Sequence, residues 1–334
     1  MIRLLCAGLG GMGYADWSSA AKVRSFQIVA GADVSESARQ RFEEQTRCPA
    51  FPDFLQALRA VPADAALIAT PDAFHAPYSI AAMEAGLDVI CEKPMAATLS
   101  DARHMHRTAT RLGRMLMIHH QLRWLPTYRH ARAMIARGAV GALRQVAFDM
   151  SVFSDVCLNG YRSKLPHLML KDLGIHHLDL IRFLTGSECR SIFARSWASN
   201  EERLAIPTTT HAYAILEMAG PITVCYRATM RAIREQTGYC CRAELTGSRG
   251  VLTVTGDAIS LQTFGGHRAG QPPQAVAPRP SDGTPWPDFA RAIRTRRPTL
   301  TASADNVKSM ELMYAAIGSA ETGHIVRLRS AAAR

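Results

Sequence analysis

The glycine-rich stretch at residues 8–13, Gly-Leu-Gly-Gly-Met-Gly, constrains the fold of this chain more than any other feature. It follows an apolar run, Ile2–Ala7, that is typical of a buried strand, and it leads into residues 14–24, which can continue as a helix. In a G-x-G-x-x-G motif the first glycine allows a tight turn, the second lets the backbone approach a pyrophosphate, and the third lets helix and strand pack closely. The motif therefore predicts that a dinucleotide binds at the helix N-terminus, on Gly8, Leu9, Gly10, Gly11, Met12 and Gly13.

An acidic residue lies at the position where such a site binds the adenine ribose. A second apolar run, Phe26–Ala32, ends in Asp33, twenty residues after Gly13. An aspartate at this place accepts hydrogen bonds from the adenine ribose and repels the 2′-phosphate of NADP. The sequence therefore favours NAD over NADP. The alternative is a glycine turn followed by a surface aspartate that binds no ligand.

The composition is that of an ordinary globular protein. Of the 334 residues, 48% are hydrophobic and 20% are charged, and a chain of this length commonly folds as two domains. The eight cysteines show no C-x-x-C pairing, so we interpret them as buried free thiols and expect no metal site. No apolar run reaches the roughly 18 residues of a membrane span. We expect a cytoplasmic protein without a signal peptide or a membrane segment.

The formal net charge of +11 raises the question of an acidic partner, nucleic acid above all. The arginines, however, are spread along the chain, without a basic run of five or more and without interleaved aromatic residues. We expect solvated charged faces and no specific nucleic-acid partner. Lysine is scarce, so a lysine in a conspicuous place is informative. The five lysines are Lys22, Lys93, Lys164, Lys171 and Lys308.

The pattern of elements divides the chain near residue 121. Residues 1–121 alternate strand and helix patterns, which predicts an α/β Rossmann-like domain with a parallel sheet. Residues 122–334 contain long period-two segments, which predict an α+β domain with an open, mostly antiparallel sheet. Within it, residues 172–184 have helical spacing, and residues 265–287 are rich in Gly and Pro and predict an exposed loop.

Glu92-Lys93-Pro94 follows the predicted strand Asp88–Cys91. The carboxyl ends of parallel strands form the edge where α/β sheets bind ligands. Lys93 could there donate a hydrogen bond to a substrate oxygen. The alternative is an ordinary surface lysine.

A second cluster reads Asp172-x-Gly-x-His176-x-x-Asp179. On a helix, Asp172 and His176 stand four residues apart and share a face, and Asp179 lies beside His176. A carboxylate beside an imidazole fixes its tautomer, which suits a general acid or base. The alternative is a capping aspartate followed by a core histidine.

Taken in order, these motifs resemble the Gfo/Idh/MocA family of glucose-fructose oxidoreductase and inositol dehydrogenase. The resemblance covers nearly the whole chain, because the combined pattern recurs in sequence order. Its parts are residues 8–13, Thr70-Pro71-Asp72 with His75, Glu92-Lys93-Pro94, Arg123 with Pro126, and Asp172 to Asp179.

The resemblance implies a nicotinamide cofactor and a role for each motif. Lys93 would bind the reacting oxygen, His176 would exchange its proton, and Asp172 would orient the substrate or His176. Hydride would pass between a carbinol carbon and nicotinamide C4. The peptide before Pro94 would be cis. The cofactor residues would be the glycine stretch, Asp33, Thr70, Pro71, Asp72, His75, Glu92 and Lys93.

The chain also departs from its relatives. They commonly carry Asn where it has Asp72, and a glycine-rich segment before the Asp-x-Gly-x-His motif where it has residues 165–171. The bulkier segment of this chain would reshape the pocket beside the nicotinamide. Basic side chains in contact with the substrate would suit an acidic or heavily hydroxylated sugar. The alternative for each of them is an ordinary surface position. The candidate substrate residues are Lys93, Arg123, Tyr161, Arg162, His167, Lys171, Asp172 and His176.

We expect from this resemblance an NAD-dependent dehydrogenase or reductase acting on a secondary alcohol or ketone of a sugar, cyclitol or sugar derivative. Alternatives are a biliverdin-reductase-like or dihydrodiol-dehydrogenase-like enzyme, or a regulator that senses nicotinamide. Lys93 and His176 favour an enzyme, because such regulators tend to lack them. The resemblance also implies a homodimer or homotetramer formed through the C-terminal sheet.

Overall fold

The chain folds into two compact units. The computed structural model describes residues 1–155, 160–198, 208–233, 236–264, 272–281 and 283–328. The first unit comprises Met1–Gln121 and Thr284–Met310, and the second comprises Leu122–Gly283 and Glu311–Arg334. The sequence pattern predicts a single break near residue 121, whereas residues 284–310 belong to the first unit.

The first unit contains a six-stranded parallel sheet in the order β3-β2-β1-β4-β5-β6. Every strand alternates with a helix except at β6, which confirms the predicted Rossmann-like domain. The elements are β1 (Ile2–Ala7), α1 (Gly11–Ala21), β2 (Phe26–Ala32), α2 (Glu36–Thr46), β3 (Ala50–Phe51), α3 (Phe54–Ala60), β4 (Ala65–Ile68), α4 (His75–Glu84), β5 (Asp88–Cys91), α5 (Leu99–Leu112) and β6 (Leu116–Ile118).

Two helix starts show how local side chains set element boundaries. Ser35 caps α2 and accepts a hydrogen bond from the Ala38 N–H. Thr98 caps α5, and its Oγ1 accepts from the Asp101 N–H at 3.1 Å. The Thr98 hydroxyl also donates to the Asp101 carboxylate at 2.7 Å. This reciprocal pair starts the helix before Ser100.

The second unit contains a nine-stranded sheet in the order β14-β13-β12-β11-β7-β10-β9-β8-β15. Strands β7 and β10 are parallel, and the other neighbours are antiparallel. This confirms the predicted open, mostly antiparallel sheet. The elements from residue 122 are α6 (Pro126–Ala136), β7 (Leu143–Ser151), α7 (Ile175–Thr185), β8 (Cys189–Trp197), β9 (His211–Met218), β10 (Thr223–Thr229), β11 (Arg242–Gly247), β12 (Gly250–Val254), β13 (Ile259–Thr263), β14 (Gln274–Ala275), α8 (Trp286–Thr295), α9 (Ser303–Thr322) and β15 (Val326–Arg327).

Helix α8 belongs to the first unit because its aromatic residues cover β2. The Phe26 ring meets Trp286 edge-on at 5.4 Å between centroids and stacks on Phe289 at 6.1 Å. Arg296 adds an ion pair to Asp88 at the start of β5, with Nη1 2.7 Å from Oδ1. The apolar spacing of α8 predicts a helix, but it does not specify which sheet the helix covers.

The two faces of the second sheet differ in what they contact. On one face α7 packs against the sheet, where the His177 ring contacts Tyr226 and Phe148. On the other face Phe193 pairs with Ile215, which pairs with Cys225 on β10. Ile215 is 52% exposed and its strand neighbour Tyr213 is 51% exposed. The second face is thus partly apolar and open.

The sequence-predicted loop over residues 265–287 contains β14, and α8 begins at Trp286. Residues 265–271 and 282 lie outside the described residues. Strand β13, which the sequence pattern does not predict, is held by its pairing with β12. Within the described ranges, the structure contains no helix whose length and apolar character would let it cross a membrane.

Candidate active site

The glycine stretch makes the close contacts that its spacing predicts. Gly8 has φ +85°, and a Cβ atom there would overlap the carbonyl oxygen of Ala69 after β4. A Cβ atom on Gly13 would overlap the carbonyl oxygen of Gly8. Gly13 therefore lets the start of α1 lie directly against the turn after β1, and Gly8 lets that turn lie against the end of β4.

The space in front of this turn suits a phosphate group. At Gly10 a Cβ atom would meet no atom of the described residues within 4 Å. Helix α1 begins at Gly11 and Met12, no described side chain caps its N-terminus, and its first turn contains no acidic residue. Its first N–H groups and the positive end of its dipole therefore suit an anion. This cradle fits the pyrophosphate of a dinucleotide.

Asp33 lies at the end of β2 and holds the glycine turn. Its Oδ2 accepts a hydrogen bond from the Leu9 N–H at 2.7 Å, and its Oδ1 accepts from the Ser35 N–H at 2.8 Å. The backbone N–H of Leu9, which the sequence predicts as a cofactor residue, thus donates its hydrogen bond to Asp33. Each carboxylate oxygen keeps a second lone pair, so the arrangement still fits a ribose hydroxyl.

His75 joins the loops that follow β4 and β5. Thr70 and Pro71 lead into a single 3-10 turn, Asp72–Phe74, and His75 begins α4. The buried ring of His75 has one nitrogen 2.7 Å from the Pro94 carbonyl oxygen and the other 2.8 Å from that of Thr70. Burial lowers the pKa of His75. His75, which the resemblance implies as a cofactor residue, therefore connects these two loops through its ring nitrogens.

Lys93 lies between a buried carboxylate and a cis proline. It is half-buried, and its peptide bond to Pro94 is cis, as the resemblance implies. Glu92 is buried, with 4% of its surface exposed, and its Oε2 accepts a hydrogen bond from the Lys93 N–H at 3.2 Å. The side chain of Glu92 thus contacts the Lys93 backbone.

Two residues that the sequence reasoning missed complete this region of the first unit. The Nδ1 of His119, just after β6, lies 2.7 Å from Glu92 Oε1 and 3.1 Å from Asp16 Oδ1 on α1. All three side chains are buried. We call Asp16, Glu92 and His119 the buried triad. Its donor atoms lie within 4.8 Å of one another, so the set could also ligate a small divalent cation.

Burial and mutual attraction set the ionisation of the buried triad. Burial raises the pKa of Asp16 to about 6. Although burial opposes charge on His119, the carboxylates of Asp16 and Glu92 raise its pKa to about 10. Burial also opposes charge on Glu92, but His119 holds its pKa at about 2. An imidazolium paired with the Glu92 carboxylate therefore persists at neutral pH.

In the second unit, Asp172 lies in a π-helical turn, Met169–Gly174, that precedes α7. The sequence pattern instead predicts one regular α-helix over residues 172–184. The turn forms because the Met169 N–H donates to the Thr209 carbonyl and Gly174 packs against the Met169 carbonyl. Turns of this kind occur frequently at functional sites. The Asp172 carboxylate accepts a hydrogen bond from Arg162 Nε at 2.9 Å.

The two adjacent histidines of α7 have different surroundings. His176 is 1% exposed, and its ring meets Tyr239 edge-on, with centroids 5.4 Å apart and planes at 83°. His177 has its Nδ1 3.0 Å from the Tyr226 hydroxyl. His177 therefore ties α7 to the sheet, whereas Tyr239 orients the ring of His176.

Arg123 and Asp179 form a buried bidentate ion pair. Arg123 Nε and Nη2 each donate to one oxygen of Asp179 at 2.6 Å. The sequence spacing predicts that Asp179 lies beside His176, and Arg123 is a candidate substrate residue. The structure adds that the two side chains pair with each other, since a buried guanidinium requires a charged partner.

The other substrate candidates lie in the second unit. His167 has φ +56°, and its Nε2 lies 2.8 Å from Glu321 Oε1. The Lys171 Nζ lies 5.8 Å from the centre of the Tyr314 ring. Tyr161 belongs to a short helical turn, Gly160–Lys164, but its side chain lies outside the described residues.

We predict that His119 makes the free energy of unfolding fall as the pH rises from 7 to 9. Its pKa is about 10 in the folded protein and near 6.5 in an unfolded chain, so its stabilising contribution is complete below pH 6.5 and is lost towards pH 10. An NMR titration of the histidine rings should therefore show His119 still protonated at pH 8, and the wild-type free energy of unfolding from urea denaturation should fall by up to about 1.4 kcal/mol per pH unit between pH 7 and 9. His106, whose pKa burial lowers, is the control and should be neutral at pH 8. A neutral His119 ring at pH 8 would contradict the prediction.

Family models match both parts of the chain. The model described as an oxidoreductase family with an NAD-binding Rossmann fold matches residues 2–120. The model of the Gfo/Idh/MocA C-terminal domain matches residues 128–253.

Curated proteins and solved structures agree with these matches. D-apiose dehydrogenase of Paraburkholderia graminis is 30% identical over 283 residues, which cover 79% of this chain and 72% of that protein. An oxidoreductase from Agrobacterium radiobacter, solved with NAD+, L-tartaric acid and magnesium, has a TM-score of 0.87 at 22% identity and covers 98% of both chains. An inositol dehydrogenase homologue from Azotobacter vinelandii, solved with NADH and myo-inositol, has a TM-score of 0.83 at 22% identity, covering 98% of this chain and 97% of that one. The chain therefore belongs to the Gfo/Idh/MocA family of oxidoreductases, as the resemblance in its sequence predicts.

Proposed function

We propose that this oxidoreductase is an NAD-dependent dehydrogenase, or a reductase in the reverse direction, acting on a secondary alcohol or ketone of a sugar, cyclitol or sugar derivative. The observation that carries the proposal is the open, uncapped N-terminus of α1 behind Gly10, with Asp33 at the end of the next strand. Relatives support the substrate class, since they are named D-apiose dehydrogenase, inositol 2-dehydrogenase 1 and D-glucoside 3-dehydrogenase.

The first unit would hold the cofactor. Backbone N–H groups at Gly11 and Met12 would bind the pyrophosphate, and Asp33 would accept hydrogen bonds from the ribose. When bound, NAD supplies the nicotinamide C4 that takes up hydride. Thr70 and Asp72 follow the adjoining strand β4 at the same carboxyl edge and would border the cofactor.

Three side chains would act on the alcohol. Lys93 would donate a hydrogen bond to the reacting oxygen, and the His176 ring, oriented by Tyr239, would exchange the hydroxyl proton. Asp172, paired with Arg162, would orient the substrate. Positioning and proton transfer are the contributions that this chain makes to the reaction.

We predict that the protein binds NADH more tightly than NADPH and that Asp33 is the reason. A carboxylate opposes the 2′-phosphate, so Asp33→Asn should reduce the preference about tenfold, equivalent to about 1.4 kcal/mol. Fluorescence titration with both reduced cofactors measures the ratio. Asp53→Asn, which removes a carboxylate charge at the N-cap of α3 and keeps the capping oxygen, serves as the control and should leave the ratio unchanged. Comparable wild-type affinities would show that Asp33 does not contact the ribose.

We predict that the wild-type protein with the tighter-binding cofactor oxidises or reduces one class in a panel of inositols, aldoses, uronic acids and anhydrosugars. Lys93→Met and His176→Ala should each lower kcat/KM for that substrate at least about a hundredfold, the usual worth of a positioned acid or base. Lys22→Met and His106→Asn are the controls and should retain activity. Wild-type turnover in either site variant would remove that residue from the mechanism. Cofactor binding without any turnover would favour a sensor of nicotinamide.

We also propose that copies of the chain associate through the open face of the nine-stranded sheet. This face carries a row of apolar side chains on β8 and β9 that a monomer leaves in water. The row comprises Phe193, Trp197, Tyr213 and Ile215. Exposed apolar patches of this kind commonly mark protein interfaces.

We predict that Ile215→Asp shifts the protein to a smaller species in sedimentation velocity. A charge placed at the centre of an apolar interface would be buried without a partner, which opposes association. Leu55→Asp, at a partly exposed position on α3 of the first unit, is the matched control and should sediment like wild type. A wild-type protein that sediments as a monomer would rule out this interface.

The proposal assigns the enzyme to the cytoplasm. The described cysteines are free thiols, as is usual for proteins of reducing compartments. Recovery of the protein from a secreted fraction would contradict the assignment. These thiols belong to Cys6, Cys48, Cys91, Cys189, Cys225, Cys240 and Cys241.

A further inference from the structure

We propose that Asp16 and His119 are positioning residues that act through Glu92 to fix the backbone of Lys93. The proposal rests on the function proposed above for Lys93. It adds two residues from different elements, α1 and the end of β6, to the site at the carboxyl edge of the first sheet.

The contacts form a continuous path to Lys93. Asp16 Oδ1 lies 3.1 Å from His119 Nδ1, and the same nitrogen lies 2.7 Å from Glu92 Oε1. The other oxygen of Glu92 accepts the hydrogen bond from the Lys93 N–H at 3.2 Å. A change at Asp16 can therefore reach the Lys93 backbone through two intervening side chains.

The charge on His119 keeps Glu92 suited to this contact. A buried carboxylate without a counterion would take up a proton, because burial opposes its charge. A protonated Glu92 would have one fewer oxygen lone pair to offer to an N–H group. The imidazolium 2.7 Å away removes the need for that proton, and the low pKa of Glu92 agrees with this charge state.

Asp16 extends the path to the cofactor cradle. It stands three residues after Gly13 on α1, the helix whose N-terminus fits a pyrophosphate. Through His119 and Glu92 the same helix is joined to the peptide that carries Lys93. The buried triad therefore connects α1, beyond its N-terminal turn, to the peptide that carries Lys93.

The separation of 2.7 Å between His119 Nδ1 and Glu92 Oε1 is typical of a charge-assisted contact. One imidazolium also partly neutralises the two carboxylates without any further ion.

Hydrogen-exchange mass spectrometry tests the proposal without any substrate. In Asp16→Asn and His119→Asn, amides in the peptide spanning residues 92–96 should exchange about tenfold faster, which corresponds to the loss of roughly one hydrogen bond. Peptides from β1 should be unchanged. The matched controls are Asp88→Asn, a buried carboxylate at the opposite end of β5, and His106→Asn, and neither should accelerate exchange at 92–96. Unchanged exchange at 92–96 in both triad variants would overturn the proposal.

Kinetics distinguish positioning from a general loss of stability. With the substrate found in the panel, Asp16→Asn should lower kcat about tenfold and leave KM and the NADH dissociation constant within about twofold, as expected for a group that acts only on the reacting centre. In a Glu92→Gln background the same substitution should have no further effect, since residues acting through one another are not additive. Additive effects on kcat would overturn the proposal.

Two further results distinguish a failure of this proposal from a failure of the proposed function. If the wild type turns over no member of the panel, the proposed function fails, while exchange at residues 92–96 still decides whether Asp16 and His119 position Lys93. If the triad variants do not fold, elemental analysis of the wild type remains. A stoichiometric divalent metal ion that a chelator removes would overturn the ion-pair assignment, and its absence from pure, folded wild type supports it.

Discussion

The packing of Gly13 against the carbonyl of Gly8 is the contact on which the first unit depends. It sets the distance between α1 and the turn after β1, because a side chain at position 13 would separate them. With the helix this close, its uncapped N-terminus opens at the carboxyl edge of the sheet, and Asp16 on the same helix reaches His119. One steric condition thus determines both the anion cradle and the charge network beneath the lysine loop.

In both units a buried charged side chain is paired with a side chain of opposite charge. Arg123 and Asp179 neutralise each other in the second unit, and His119 neutralises Glu92 in the first. In the first unit the pair lies next to Lys93, which is proposed to act on the substrate. Because a broken buried pair leaves an uncompensated charge, such pairs resist separation of the elements they join. Glu92 and Asp179 therefore each help to hold two elements together.

The sequence predicts much of the fold, since it is encoded in local patterns. The strands Ile2–Ala7, Phe26–Ala32 and Asp88–Cys91 have their predicted bounds because each is a short apolar run between turn residues. The partners of charged residues are not local. Arg123 and Asp179 lie 56 positions apart, so helical spacing cannot predict that they pair. His119 and Asp16 carry no sequence signal at all, because only the folded sheet brings a residue of α1 and the residue after β6 to Glu92 at the end of β5.

The return of residues 284–310 to the first unit has a consequence for synthesis of the chain. Phe26 emerges early from the ribosome, but Trp286 and Phe289, which cover it, emerge only after the whole nine-stranded sheet except β15 has been made. A domain usually folds as a unit once its residues are available. Here the aromatic cover of Phe26 is absent from the nascent first unit until α8 has been translated, so this unit can complete its packing only after most of the second has been made.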